Sequence, residues 1–511
     1  MRLTFKVGAI DCTLVDPLDA SAHRLVDKLL TITDPSAERD SSFKVKLWDG
    51  LIHFYDQEVH AFPAGLLHRL RMRLEKRGHE VVLQSPEQPV QVTPVAPDYL
   101  VGIDLRDYQV EAANAALELK RGLLWLATNA GKTEIMSSVV GKLVRELGLR
   151  CLVVVPNTNL LHQTAARIHK RLGSDVAIGR LGDGLREIDG DVLVGTYQSL
   201  APAVPDKYGR TQDPGVAAFI KTCGGVFVDE THHASASSIK AILCAATSAH
   251  YRIGLTGTVD KSDKRVASDD AAREHRWKME SYLGPVLYRV TNDFLIDQGF
   301  SAKPRVVVVA DRACFGPTVP TPRPPPGARR FNPYSDVFRR AAIEDETWCR
   351  SIAEITGSLL ASGRPPFVFS HSVAHMRAIA EQCRVLNVPH RALCGGNDTA
   401  ERQEALKDFS QHKDFAIITS PIFDEGADVP DIRACVLAGA RKSCVELLQR
   451  VGRGVRKKEG EDNTVLIVDF DPVHSTMLHD HFEARAATYR DEGFKVTTLA
   501  DRMQFDALLH R

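Results

Sequence analysis

Short β-branched apolar runs, spaced by helix-patterned stretches, constrain the fold of this chain more than any other feature. Such runs occupy residues 152–155, 192–194 and 226–228, each bounded by polar or glycine-rich turns. They do not alternate apolar with polar positions, so neither strand face is meant for water. A parallel sheet covered by helices is implied. The same rhythm returns in the second half of the chain, at 367–369, 416–418, 434–437 and 465–468. Two α/β lobes are therefore expected, the first over residues 96–300 and the second over 346–511 with helices at its end.

Between the lobes, residues 301–345 read as a linker with an insertion, because Pro320, Pro322, Pro324, Pro325 and Pro326 can neither continue a helix nor donate to a ladder. The leading residues 1–95 run into the proline-spaced stretch 84–99, so a separate small α+β domain is expected there. A length of 511 residues accommodates all of this. Lys plus Arg (65) balance Asp plus Glu (65), so binding to nucleic acid would have to use local patches. The ten cysteines form no Cys-x-x-Cys pair and no zinc-spaced cluster, which implies reduced thiols and no structural metal. Neither a signal-peptide core nor a membrane-length apolar run is present, so a soluble, cytoplasmic protein without a membrane partner is expected.

The chemistry begins where an apolar run at 123–126 meets Ala127-Thr128-Asn129-Ala130-Gly131-Lys132-Thr133 and a helical pattern follows. Backbone amides at such a strand-to-helix turn cradle phosphates, Lys132 reaches the β- and γ-phosphates, and Thr133 ligates Mg²⁺. The first glycine of the general phosphate-loop pattern is absent, its place taken by Leu126, so the Gly-Lys-Thr triplet is weak alone. A second element strengthens it: the apolar run ending at Val228 delivers Asp229 and Glu230 side by side, followed by Thr231 and His232. Asp229 can hold Mg²⁺ while Glu230 orients and deprotonates an attacking water. A solvated acidic strand end is the bland reading, but together the two elements favour ATP hydrolysis.

With these residues on the page, the chain resembles the superfamily-two helicases of the DExH type, and the resemblance runs through both lobes in order. It implies two tandem RecA-like lobes. Arg106 and Gln109, in Leu105-Arg106-Asp107-Tyr108-Gln109, resemble the adenine-reading motif. Pro156 and Thr158, then Thr196 and Gln198, match the first-lobe contacts to a nucleic-acid strand, and Leu255-Thr256-Gly257-Thr258 the coupling motif. In the second lobe, residues 367–371 resemble the opening motif. Thr419-Ser420 with Gly426 and Asp428 resemble motif five, which assigns Ser420 to the strand and Gly426 and Asp428 to the nucleotide. Gln449, Arg453 and Arg456 match the Q-x-x-G-R-x-x-R signature of motif six. Developing charge on a γ-phosphate needs fixed cations, which Arg456, and secondarily Arg453, would supply from across the cleft. Asn129 stands where many relatives carry glycine, and Thr231 fills a variable place. The resemblance implies ATP and Mg²⁺ as cofactors and a monomer in a bacterial or phage-infected host cytoplasm.

The substrate is read from the leading domain. Trp48-Asp49-Gly50 and the later Pro63-Ala64-Gly65-Leu66-Leu67 resemble the leading domain of phage branch-migration helicases, which implies branched or duplex DNA with single-stranded regions as partner, and RNA in hybrids. Leu67, Leu70 and Leu74 share one helical face while Arg69, Arg73, Lys76 and Arg77 form a basic stripe beside it. On spacing alone that stripe is as readily a solvated face as a phosphate track, and the resemblance favours the phosphate track. Trp48 reads as a core anchor beside a tight turn rather than a base-stacking platform. His474, His479 and His481 read as surface residues and not ligands. An RNA helicase, a duplex translocase that does not separate strands, and a degenerate ATPase serving as a scaffold share much of this pattern and stay open.

Overall fold

In the computed structural model, residues 1–35, 37, 41–84, 92–206, 208–231, 237–257, 269–323, 332–420, 432–439, 463–491 and 493–509 are described. The chain divides into two compact units, Met1–Val290 and Thr291–Arg511.

The first unit contains the first lobe, an eight-stranded sheet. Its order is Leu185–Arg186, Ile178–Gly182, Val192–Thr196, Cys151–Val155, Gly225–Val228, Tyr251–Thr256, Arg121–Leu126 and Val286–Val290. All neighbours are parallel except the short Leu185–Arg186 edge. Cys151–Val155, Val192–Thr196 and Gly225–Val228 are buried at every position, as unalternating apolar runs require. Three strand ends therefore converge on one edge of the sheet: Arg121–Leu126 leads into the phosphate loop, Gly225–Val228 into the acidic pair, and Tyr251–Thr256 into the coupling segment.

The leading residues form a four-stranded mixed sheet, Ala61–Pro63, Asp11–Asp16, Arg2–Val7 and Glu80–Gln84, and a separate hairpin of Thr31–Thr33 with Leu51–His53. The expected independence of this domain is not found. Its apolar core includes Trp277 of the first-lobe helix Asp269–Leu283. Gly65 shows how close the approach is, because a Cβ there would lie 2.0 Å from the Glu280 carbonyl oxygen. Only a residue without a side chain fits against that backbone.

The second unit holds a seven-stranded, wholly parallel sheet. Its order is His390–Leu393, Ala416–Thr419, Pro366–Phe369, Ala434–Leu437, Thr464–Phe470, Lys303–Val309 and Lys495–Leu499. Here the linker expected at 301–345 needs correcting. Lys303–Val309 is an interior strand of this sheet, and its run Val306 to Val309 is buried. The four valines precede the proline-rich stretch near 320 in the chain but belong to the sheet. Even Val319 packs against the lobe's core, with its N–H donating to the His474 carbonyl at 2.9 Å.

Candidate active site

The phosphate loop is shaped by two residues with left-handed backbone, Asn129 at φ +72° and Gly131 at φ +79°. Gly131 caps the helix Lys132–Leu147, whose first N–H groups and dipole face the loop. Thr128, Asn129, Gly131, Lys132 and Thr133 are half-buried, while Ala130 is fully buried. Asn129 adopts the conformation glycine would take there, as asparagine tolerates it better than most side chains.

Lys132 Nζ lies 2.6 Å from Glu230 Oε1. Glu230 itself has φ +48°, a strained conformation for a non-glycine residue that aims its carboxylate back at the loop. Its N–H donates to Asp229 Oδ1 at 2.9 Å. Burial, then the adjacent Glu230 charge, raises the Asp229 carboxyl to about 6 against the pull of Lys132. Burial opposes the charge on Lys132, yet Glu230 and Asp229 outweigh it and hold the ammonium above its ordinary value. Two carboxylates thus share one ammonium in a partly dry site. That surplus of negative charge, with the Thr133 hydroxyl nearby in the helix's first turn, fits a divalent cation and a polyphosphate.

Gln109 departs from the expected base-facing pose. Its Oε1 accepts from the Arg106 N–H at 2.9 Å and its Nε2 donates to the Ala130 carbonyl at 2.9 Å, and the residue is 4% exposed. Tyr108 Oη donates to the same carbonyl, and Arg106 Nη1 donates to Tyr108 Oη. In this structure the motif therefore braces the phosphate loop from below.

Three side chains tie the site together through contacts that the sequence does not show. Trp125 Nε1 donates to the Gly257 carbonyl at 3.1 Å, with the Arg289 guanidinium stacked on the indole. Thr231 Oγ1 donates to the Leu255 carbonyl at 2.9 Å and is wholly buried. Both tie the ends of Arg121–Leu126 and Gly225–Val228 to the stretch 255–257. Glu134, next after Thr133, pairs with Arg167 at 2.9 Å and so fixes the loop helix to its neighbour Thr158–Leu172. A tryptophan in the strand entering a phosphate loop is a signal, because a half-buried indole N–H seeks an acceptor.

Among the nucleic-acid candidates, Thr158 and Gln198 are exposed, and Gln198 Nε2 donates to the Pro156 carbonyl at 3.3 Å. Pro156 is buried, and Thr196 is spent as a helix cap, its hydroxyl accepting from the Ser199 N–H. Ser420 is 2% exposed, its hydroxyl without a hydrogen-bond partner among the described residues. The basic stripe divides. Arg69 pairs with Glu280 at 2.5 Å, and Arg69 and Arg73 stack on Trp277 at 5.0 and 4.8 Å. Arg73 also donates to the Leu29 carbonyl. These two arginines are corrected from phosphate contacts to fasteners of the leading domain: Arg69 joins Arg276 in compensating the nearly buried Glu280, and Arg73 is engaged by Trp277 and the Leu29 carbonyl. Lys76 and Arg77 remain exposed. His232, Thr258, Gly426, Asp428, Gln449, Arg453 and Arg456 lie outside the described residues.

Trp48 is an anchor, donating its indole N–H to the Leu51 carbonyl at 3.0 Å. His474 is corrected from the surface to the core: it is 1% exposed and donates from Nε2 to the Ala341 carbonyl at 3.0 Å. No group of three or more metal-ligating side chains, and no helix long and apolar enough to cross a membrane, occurs among the described residues.

Two family profiles match the chain. One, described as Type III restriction enzyme, res subunit, covers residues 102–261, and the other, Helicase conserved C-terminal domain, covers 350–458. The chain is 27% identical over 401 residues to the DNA 3'-5' translocase XPB2 of Sulfurisphaera tokodaii, spanning 72% of this chain and 82% of that one. It is 22% identical over 502 residues to the ATP-dependent DNA helicase uvsW of Enterobacteria phage T4, spanning 88% and 90%. A solved structure titled ATP-dependent Type ISP restriction-modification enzyme LlaBIII bound to DNA shares the fold. Its TM-score is 0.54 at 16% identity, over 86% of this chain and 35% of that one. The phosphate loop and acidic pair lie inside the first matched segment, and the motif-six residues inside the second, so the chain belongs to the superfamily-two helicases and is an ATP-hydrolysing enzyme.

Proposed function

We propose that the chain is an ATP-driven motor on DNA, acting on branched structures such as forks and four-way junctions. The observation that carries this reading is the Lys132–Glu230 pair with Asp229 beside it, joined through Thr231 and Trp125 to the coupling segment. In that arrangement Lys132 exchanges Glu230 for the β- and γ-phosphates, and Glu230 is freed to take a proton from the attacking water. Thr133 and Asp229 would hold Mg²⁺, which would supply charge neutralisation at the phosphoryl oxygens. A change at the phosphates then reaches Leu255 and Gly257 through two hydrogen bonds, a direct path from nucleotide state to backbone position. DNA as the track is supported by relatives named as a DNA translocase and a DNA helicase. For branched DNA the support is the resemblance of Trp48-Asp49-Gly50 and Pro63-Ala64-Gly65-Leu66-Leu67 to the leading domain of phage branch-migration helicases, together with a uvsW alignment that spans 88% of this chain.

The deciding measurement is steady-state ATP turnover with single-stranded, duplex, forked and four-way DNA and with RNA of matched sequence. Greatest stimulation by forked or four-way DNA is expected. Stimulation by RNA alone would replace the reading with an RNA helicase, and equal stimulation by plain duplex without strand separation would make it a duplex translocase.

A further inference from the structure

The hairpin of Thr31–Thr33 and Leu51–His53 stands outside the leading domain's main sheet, and residues 34–50 join its two strands. The base of that connection is braced. Asp34 N–H donates to the Gly50 carbonyl at 2.9 Å, and the Leu51 N–H donates to Asp49 at 3.0 Å. His53 bridges Asp27 at 2.9 Å and Asp49 at 3.2 Å, while the Phe43 and Trp48 rings meet edge to face at 6.4 Å. Gly50, at φ +75°, has no room for a Cβ beside the Phe43 ring.

On this base the tip turns outward. The short helix Ser41–Lys44 is closed by Lys46 N–H to the Phe43 carbonyl at 3.0 Å and Leu47 N–H to the Ser42 carbonyl at 2.8 Å. In this kind of helix stop, glycine usually takes the left-handed position and the next residue, apolar, packs back onto the helix. Here Lys46 takes the left-handed position at φ +59°, and Leu47 does not pack back. Leu47 is 83% exposed and Val45 is 64% exposed. A lone exposed leucine needs no explanation. Two apolar side chains on a braced loop, set in the sequence Lys44-Val45-Lys46-Leu47 and held by strained backbone, do.

We propose that this tip is a wedge for the branch point of DNA, with Leu47 and Val45 lodging against the terminal base pair where a duplex opens and Lys46 pairing with an adjacent phosphate. Small apolar wedges of this kind insert at unstacked base steps, and the cation supplies a salt-dependent hold on the backbone. Nucleic acid is favoured over a protein partner because the two exposed apolar side chains flank an exposed lysine, Lys46, whereas protein-docking patches are broad and depleted of lysine. The inference rests on the DNA-motor reading above.

The test uses the full chain carrying Val45→Ser together with Leu47→Ser, and separately Lys46→Gly. ATP turnover is titrated with single-stranded and with forked DNA, and a forked substrate with 2-aminopurine at the branch reports unstacking. With the double variant, turnover on single-stranded DNA is expected to stay unchanged. Its apparent affinity for the fork should fall about tenfold, the worth of one buried leucine-sized contact, and the fluorescence rise should vanish. Lys46→Gly should raise thermal stability by relieving the left-handed lysine, while weakening fork binding. Unchanged fork affinity and fluorescence in the double variant would overturn the wedge. So would a wild-type dimer that becomes monomeric in the double variant with fork binding intact, since the tip would then be a self-association surface. If no DNA of any form stimulates the wild-type chain, the DNA-motor reading fails first and the wedge falls with it.

Discussion

Asp229 carries a pH signature that binding and stability should both reveal. Its carboxyl titrates near 6 in the folded chain, raised by burial and by Glu230. A raised carboxyl contributes stability below its ordinary value of about 3.8, and that contribution is lost as pH rises through about 6. Asp229→Asn should therefore stabilise the unliganded chain at pH 7 by on the order of 1–2 kcal/mol, read as a higher Tm, while removing Mg²⁺-dependent turnover. In the wild type, the Tm increase caused by Mg²⁺ with a non-hydrolysable ATP analogue should be small at pH 5 and reach its full size above about pH 6. A shift independent of pH would show that Asp229 does not face the cation. Lys132→Ala should lower turnover by about 10²–10³-fold, measured as phosphate release, with DNA binding largely retained. These site residues were legible because the phosphate loop and the acidic pair each sit in one short segment. Gln109 was legible only in part: its motif was evident, but the bond to Ala130 depends on a loop that folds back over it.

At the scale of elements, the helix Asp269–Leu283 is where the leading domain and the first lobe become one body. Trp277 is 1% exposed and lies between Arg69, Arg73 and Phe54. Trp277→Ala should cost about 3–5 kcal/mol and expose the leading domain to limited proteolysis at concentrations of protease that leave the wild type intact. Gly65→Ala, which drives a Cβ into the Glu280 carbonyl, should act in the same direction. Reversing the charge of Arg69 should weaken DNA binding only indirectly, by loosening this contact. In the second unit, Asp469 is fully buried and satisfied by Arg485 through two hydrogen bonds of 2.9 Å and by Tyr489 Oη at 2.8 Å. Arg485→Ala leaves that carboxylate uncompensated and should cost about 3–5 kcal/mol in chemical denaturation, whereas Tyr489→Phe should cost less.

For the whole molecule, the parallel strands of the two sheets bring together segments that lie far apart in the chain. Neighbouring strands of each sheet end on the same edge, so the functional segments gather there regardless of their distance along the chain. In the first lobe this brings Trp125, Lys132, Glu230, Thr231, Leu255 and Gly257 into one connected set. Trp125→Phe, which keeps the ring and removes only the bond to Gly257, should leave ATP turnover within about twofold while lowering strand displacement per ATP hydrolysed by about tenfold, the loss of one such hydrogen bond. Equal loss in both measurements would show the indole serving stability rather than coupling.

The sequence by itself determined the two α/β lobes and the nucleotide chemistry, because unalternating apolar runs commit strands to a buried sheet and the phosphate loop and acidic pair are local in the chain. It could not determine which cations are free. Arg69 and Arg73 look like a phosphate track along their helix, but Glu280 and Trp277, about 200 residues away in the sequence, claim them. Nor could it place Lys303–Val309 in the interior of the second sheet, since strand order is set by long-range pairing and not by neighbours in the chain. Charge partners and strand partners at such separations exist only once the chain has folded, and there the tertiary structure alone decided.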